Sequence, residues 1–154
     1  MKLLQQNTAG CHYELDQREG ILLRNLIEEF PLSTARVPII SRSGTDSKSM
    51  ERERLLNESL AEHRRELKRQ AGKLLTTRLQ AGKDGWRLSL NLDEREVLLQ
   101  LLNDIRVESW HALGEPENLD TFPPQASEAD QRHYQLMHLA GYFEWKMVSP
   151  EDGR

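Results

Sequence analysis

From Met50 to Gln80 the chain places apolar residues at three- and four-residue steps along one stripe: Leu56, Leu60, Leu67, Ala71 and Leu74, with His63 among them. Leu55, Leu75 and Leu79 widen the stripe, and acidic and basic side chains such as Glu58, Glu62 and Arg65 fill the rest. This period predicts a helix with one apolar face. At 1.5 Å per residue, a helix over 50–80 measures about 45 Å, more than the width of a compact domain of this size. It must bend, with Gly72 the weak point, or project beyond the body and meet a partner. The expectation is a protein partner or a second copy, a homodimer formed through helix 50–80. Gly82 supplies the stop.

The rest must supply that body, and 154 residues suffice for one domain, 1–154, with a single core. With 37% hydrophobic and 30% charged residues, the chain suits slender helices with wide polar faces and does not resemble a disordered segment. Residues 1–15 read as a hairpin turning at Asn7-Thr8-Ala9-Gly10, with Cys11, Tyr13 and Leu15 alternating behind it. Asp16 and Glu19 form a capping box for a helix that buries Leu22, Leu23, Leu26, Ile27 and Phe30 and stops at Pro31.

Residues 31–49 are rich in serine and proline and read as a flexible loop, anchored by Val37, Ile39 and Ile40. Trp86, Leu88, Leu90 and Leu92 alternate as a strand. Asp93, with Glu96 three residues on, caps a helix that buries Leu98, Leu101, Leu102, Ile105 and Trp110 and ends at Gly114. After a second flexible loop, 115–126, Ser127 and Asp130 open a last helix. Its apolar residues, Tyr134 to Met147, occupy more than one face and predict a central position.

The segments Tyr13-Glu14-Leu15-Asp16-Gln17-Arg18-Glu19 and Leu90-Asn91-Leu92-Asp93-Glu94-Arg95-Glu96 echo each other, and their strands are expected to be sheet neighbours. The predicted fold is mostly α: a four-helix bundle-like domain with a small two- or three-stranded β element.

Charge is unevenly spread. Residues 36–83 hold twelve Lys or Arg against six Asp or Glu, and residues 84–154 hold six against fourteen. Such halves can pair within the fold or in a dimer. The densest basic cluster, Arg64, Arg65, Lys68 and Arg69, is interleaved with Glu62 and Glu66 and lacks a stacking aromatic, which argues against a nucleic-acid partner. Cys11 is the one cysteine and fits a small buried strand residue in a reducing compartment. No run approaches a membrane span or a signal peptide, so the expected location is the cytoplasm, with no membrane partner.

Chemistry is sparse. There is no strained Gly-x-Ser-x-Gly turn and no glycine-rich phosphate loop. Glu108 with His111, and Asp130 with His133, make two carboxylate-x-x-His steps of the kind used by dimetal bundles, and these four are the alternative metal set. The other two helices offer no inward carboxylate to complete it, so no cofactor is expected and no catalytic residue is assigned. The most distinctive polar set is Asn103, Asp104 and Arg106, within an otherwise apolar helix. Buried without partners these groups would be costly, so Arg106 is expected to reach the neighbours of Asp104 or to cross to Glu144 or Glu19 and pin two helices together.

Leu102-Asn103-Asp104-Ile105-Arg106, followed by Leu113-Gly114, resembles the Leu-Asn-Asp-Leu-Arg signature of a bacterial domain-of-unknown-function family whose gene often neighbours that of the proteolytic adaptor ClpS in actinobacteria. The order of strands and helices is similar over most of the chain. Val107-Glu108-Ser109-Trp110-His111 departs from the small and apolar residues usual there, and the first loop is longer. The resemblance implies no activity. It implies a cytoplasmic, non-enzymatic interaction or regulatory module linked to regulated proteolysis; the alternative is a small metal-binding or enzymatic bundle.

Overall fold

The computed structural model describes residues 1–31, 47–120 and 126–149. Two strands, β1 (Lys2–Asn7) and β2 (Gly10–Leu15), precede helix α1 (Gln17–Glu29). The long helix α2 (Ser47–Arg78) runs into β3 (Leu79–Ala81) and β4 (Trp86–Leu90), and α3 (Leu92–Ala112) and α4 (Glu128–Val148) follow. The described residues are therefore mostly helical, with four helices and one antiparallel sheet in the order β1-β2-β4-β3.

Alternation decides which side of the sheet is buried. Cys11, Tyr13 and Leu15 of β2 face the core with Leu88 and Leu90 of β4. A single row of paired residues, Leu3, Tyr13, Leu88 and Leu79, crosses all four strands. The sheet has four strands where the sequence predicts two or three. Residues 79–81 continue the helical period of α2 on paper, but Leu79 is worth more opposite Leu88. The connection closes when the Gly82 amide donates to the Gly85 carbonyl at 2.6 Å.

Helix starts follow local chemistry. Asp16 caps α1, accepting from the Glu19 amide while Glu19 accepts from the Asp16 amide. For α3 the predicted cap at Asp93 is corrected: Asn91 is the cap and Glu94 completes the box. β4 ends at Leu90, so Asn91 is the first residue free to turn, and Leu92 lies exposed in the first helical turn instead of extending the strand. The two echoing segments thus lie in neighbouring antiparallel strands, β2 and β4, but their caps differ by two positions in the echo alignment. Ser127 caps α4, accepting from the Asp130 amide.

α2 begins at Ser47, so residues 47–49 are helical and not part of the first loop; the remainder of that loop, with Val37, Ile39 and Ile40, lies outside the described residues, as do 121–125 of the second. The end of α1 carries no basic residue of its own. Lys68 of α2 supplies one, donating to the carbonyls of Ile27 at 2.9 Å and Glu28 at 2.6 Å, where the last turn has unpaired acceptors. Burial holds the Lys68 ammonium below its ordinary pKa, against the pull of Glu28 and Glu29.

Arg95 of α3 performs a similar service for α4. Its Nη2 donates to the Met147 carbonyl at 2.7 Å, and its Nε donates to the Tyr13 hydroxyl. α4 is not a central helix: Leu136, Met137, Ala140, Phe143 and Met147 are buried, but Tyr142, Trp145 and Val148 on its second apolar face are open to solvent.

Two helical glycines respond oppositely to a methyl group. At Gly72 a Cβ would have nothing within 4 Å, whereas at Gly20 it would sit 2.2 Å from Cδ1 of Trp86. Gly72→Ala is therefore expected to raise stability by about 0.5–1 kcal/mol, through the lower entropy of the unfolded chain and better helix propensity. Gly20→Ala should lower it by about 1–3 kcal/mol, as overpacking does. Urea denaturation of the two variants beside the parent checks both signs.

Candidate functional site

The Asn103–Arg106 segment divides between two sides of α3. Leu102 and Ile105 enter the core, while the polar residues between them reach the flanks. On one flank, Gln100, Asp104 and Glu108, spaced by four residues, form a stripe facing α2. Glu108 Oε1 lies 2.7 Å from Arg64 Nε, and the Gln100 amide meets the His63 ring at 2.9 Å. Arg78 and Glu94 pair further along, at 2.9 Å, so α2 runs antiparallel to α3. Burial pushes the Asp104 carboxyl above its ordinary pKa of 3.8, and the charges of His63 and Arg64 only partly oppose this.

That shift has a definite sign. A carboxyl whose pKa is higher in the folded chain than in the unfolded one is better accommodated protonated. Its stabilising contribution is complete below the unfolded value and is lost as pH rises through the folded value. Asp104→Asn should therefore raise the Tm at about pH 7 relative to the parent, with the gain shrinking as the pH is lowered toward 3.8. Paired melts across that range measure it; a gain that grew on acidification would contradict this assignment.

On the other flank of α3 lies a groove against α4, with a volume of about 570 Å³. Asn103, Arg106, Val107 and Trp110 line it from α3, at helical spacing along one face. Met137, His138, Gly141 and Tyr142 line it from α4, and Leu119 lies at one end. The loop carrying Leu119 is tied down by the Trp110 indole, which donates to the Pro116 carbonyl at 3.1 Å, and by the Tyr134 hydroxyl, which donates to the Leu119 carbonyl at 3.3 Å. Beyond the groove's lining, Arg106 Nη1 donates to Glu144 Oε2 at 2.6 Å, the crossing anticipated from the sequence.

A second groove, about 770 Å³, lies on the far side of α4 against α1, so that His138 and Tyr142 form a ridge between the two. This one carries mixed charge, with Arg132 paired to Glu29. Glu19 receives the Tyr142 hydroxyl and the amino group of Met1, joining α4 to α1 and β1. Of these two grooves, the α3–α4 one combines an apolar floor with cationic and amide donors and has no carboxylate among the described residues of its lining.

The alternative metal set is not brought together. Glu108 is directed at Arg64, His111 bonds Glu115 at 2.7 Å, Asp130 sits in the capped first turn of α4, and His133 is buried one turn further along. Among the described residues no group of three or more His, Cys, Asp or Glu side chains is placed to hold a metal ion. The pairing with Arg64, which fixes Glu108, has no signature in local spacing; it depends on which turn of α2 meets α3.

The basic cluster is largely used inside the fold: Arg64 pairs with Glu108, Lys68 caps α1 and Arg69 pairs with Glu66 at 2.6 Å. Cys11 is fully buried in β2. No described helix is long and apolar enough to cross a membrane. Neither the family models, nor the curated proteins, nor the solved structures to which the chain was compared contain a match.

Proposed function

We propose that the chain is a non-enzymatic protein-interaction module that pairs with a second copy of itself through the N-terminal part of α2. One observation carries this reading. The buried residues of α2 are Leu67, Ala71 and Leu74, so none of its first twenty residues is buried, and His63 and Arg64 near the end of that stretch meet only the flank of α3. Yet that stretch exposes Met50 by 62%, Leu55 by 53% and Leu56 by 38%. Leu56 and Leu60 continue outward the stripe that seats residues 67–74 on the body.

The polar residues of the stretch suit a paired helix in water. Arg54 bridges Glu51 at 2.6 Å and Glu58 at 3.5 Å within α2 itself, so the apolar stripe is flanked by charges of both signs. Helices that lack a core contact gain most of their stability from burying an apolar face, and 47–66 spans about 30 Å. A second such helix, laid along the first, would cover both stripes at once.

Light scattering at micromolar concentration is expected to give about twice the chain mass of 17.9 kDa, and Leu55→Glu with Leu56→Glu to return the single mass with an unchanged far-ultraviolet spectrum. A parent mass of 17.9 kDa at that concentration refutes the reading. A link to regulated proteolysis rests on the resemblance of residues 102–106 alone. Affinity capture with the full chain should then retrieve a protease, an adaptor or its substrates, and capture of none of these counts against the link.

A further inference from the structure

We infer that the α3–α4 groove is a binding site for a small amphiphilic carboxylic acid: an aromatic or branched apolar body ending in one carboxylate. The site is separate from the exposed face of α2 and does not depend on pairing of the chain. Its volume, about 570 Å³, lies in the range of small-molecule sites, which are typically apolar with a few convergent polar groups.

The floor is apolar for an identifiable reason. Gly141 sits in the interior of α4, where glycine is unfavourable, and no positive φ requires it there. A Cβ at this position would meet only Arg106, with Nε at 3.6 Å and Cδ at 3.8 Å. The missing side chain lets the stem of Arg106 lie close against α4, beside Met137 and Val107 in the lining.

The chemistry of the rim selects the charge of the occupant. Arg106 gives Nη1 to Glu144, while the Nε and Nη2 edge has no acceptor among the described residues. That edge presents two parallel N–H groups, the arrangement that grips a carboxylate in bidentate fashion. The Asn103 amide and the ring nitrogens of His138 line the same groove without a hydrogen-bond partner among the described residues. The Trp110 indole and the Tyr142 hydroxyl are committed to Pro116 and Glu19, which leaves Arg106, Asn103 and His138 as the polar groups that can meet an occupant; none of the described lining is an acid, so an anion is favoured over a cation. The apolar floor favours a ligand with a body over bare phosphate or sulfate. Glu144 is a positioning residue in this scheme, holding Arg106 by its far nitrogen.

The test uses the full chain labelled with nitrogen-15 and titrated with 4-phenylbutyrate, beside 4-phenylbutan-1-ol, which has the same body without the charge. The expected result is a Kd on the order of 1 mM for the acid. Shifts should be confined to residues 103–110 and 137–142. The alcohol should bind at least about tenfold more weakly, as should the acid to Arg106→Gln. Gly141→Leu, whose Cβ would meet Arg106 and no backbone atom, should crowd the guanidinium, abolish binding and leave the melting curve cooperative. Equal binding of acid and alcohol, acid binding undiminished in Arg106→Gln, or shifts centred on the exposed face of α2 would each overturn the inference. If Gly141→Leu fails to fold, the comparison of acid with alcohol and the Arg106→Gln titration still decide it. Monomeric protein that binds the acid would leave this site standing and remove the pairing reading; a dimer that does not bind it would do the reverse.

Discussion

Arg64→Ala is expected to destabilise the chain by about 3–5 kcal/mol, the range observed when one member of a buried ion pair is removed. The carboxylate of Glu108 is almost wholly buried, with side-chain exposure of 5%, and the Arg64 guanidinium lies 2.7 Å away. In water the pair would be worth little, because solvent screens both charges. Here solvent is excluded from the carboxylate, and removing Arg64 takes a cation from 2.7 Å away where water cannot replace it.

The useful control is the double variant. Arg64→Leu with Glu108→Leu removes both charges and should recover most of the loss, since a buried pair replaced by apolar residues is often neutral or stabilising. Urea denaturation of Arg64→Leu, Glu108→Leu and the double variant gives the coupling directly. If the double variant loses the sum of what the two singles lose, the pair is uncoupled and is not what joins α2 to α3 there. Because this contact comes only three residues before the first buried residue of α2, Leu67, its loss should also loosen the base of the exposed segment, and hydrogen exchange along α2 reads that out.

Gly10→Ala is the second large effect. Gly10 opens β2 with φ 156°, and a Cβ built there would lie 2.1 Å from the carbonyl oxygen of Leu90 and 2.9 Å from the Cα of Asn91. The neighbours are backbone atoms at the junction of β4 and α3, so no side-chain rotation relieves the contact. Backbone strain of about 1–3 kcal/mol and overpacking of about 1–3 kcal/mol combine to an expected loss of about 2–6 kcal/mol. That is enough to unfold a domain of ordinary stability in part or whole. The nitrogen-15 spectrum of the variant should collapse toward the dispersion of an unfolded chain, or its urea midpoint should fall by the corresponding amount. A midpoint equal to that of the parent would show that the β2–β4 approach is looser than this geometry requires. Gly72→Ala, the same substitution in open space, is the internal control with the opposite sign.

Much of the architecture was legible locally. The Asp16–Glu19 capping box, the turn at 7–10, the alternation of Cys11, Tyr13 and Leu15, and the Ser127 cap are decided by residues within a few positions of each other, where propensity and hydrogen-bond reach operate. The pairing of β2 with β4 followed because neither strand can bury its apolar side alone. The cap of α3 was misplaced by two residues because Leu92 continues the alternation of the strand, and only the end of pairing at Leu90 shows that the sheet has stopped. The candidate site was half legible. Asn103 and Arg106 stand out as polar residues in an apolar helix, and the reach of Arg106 to Glu144 was foreseeable, but the participation of Gly141 and His138 was not.

The sequence by itself determined the four helices, the caps of α1 and α4 and the stripe that makes α2 amphipathic, because these depend on period and on neighbours along the chain. Only the tertiary structure decided that Leu79–Ala81 leaves the helix for the sheet, that Asp104 and Arg106 part to opposite flanks of α3, and that Glu108 meets Arg64 and no metal set. Those outcomes depend on contacts between residues dozens of positions apart. Packing selects among several locally acceptable arrangements by the apolar area and the paired charge that each one buries.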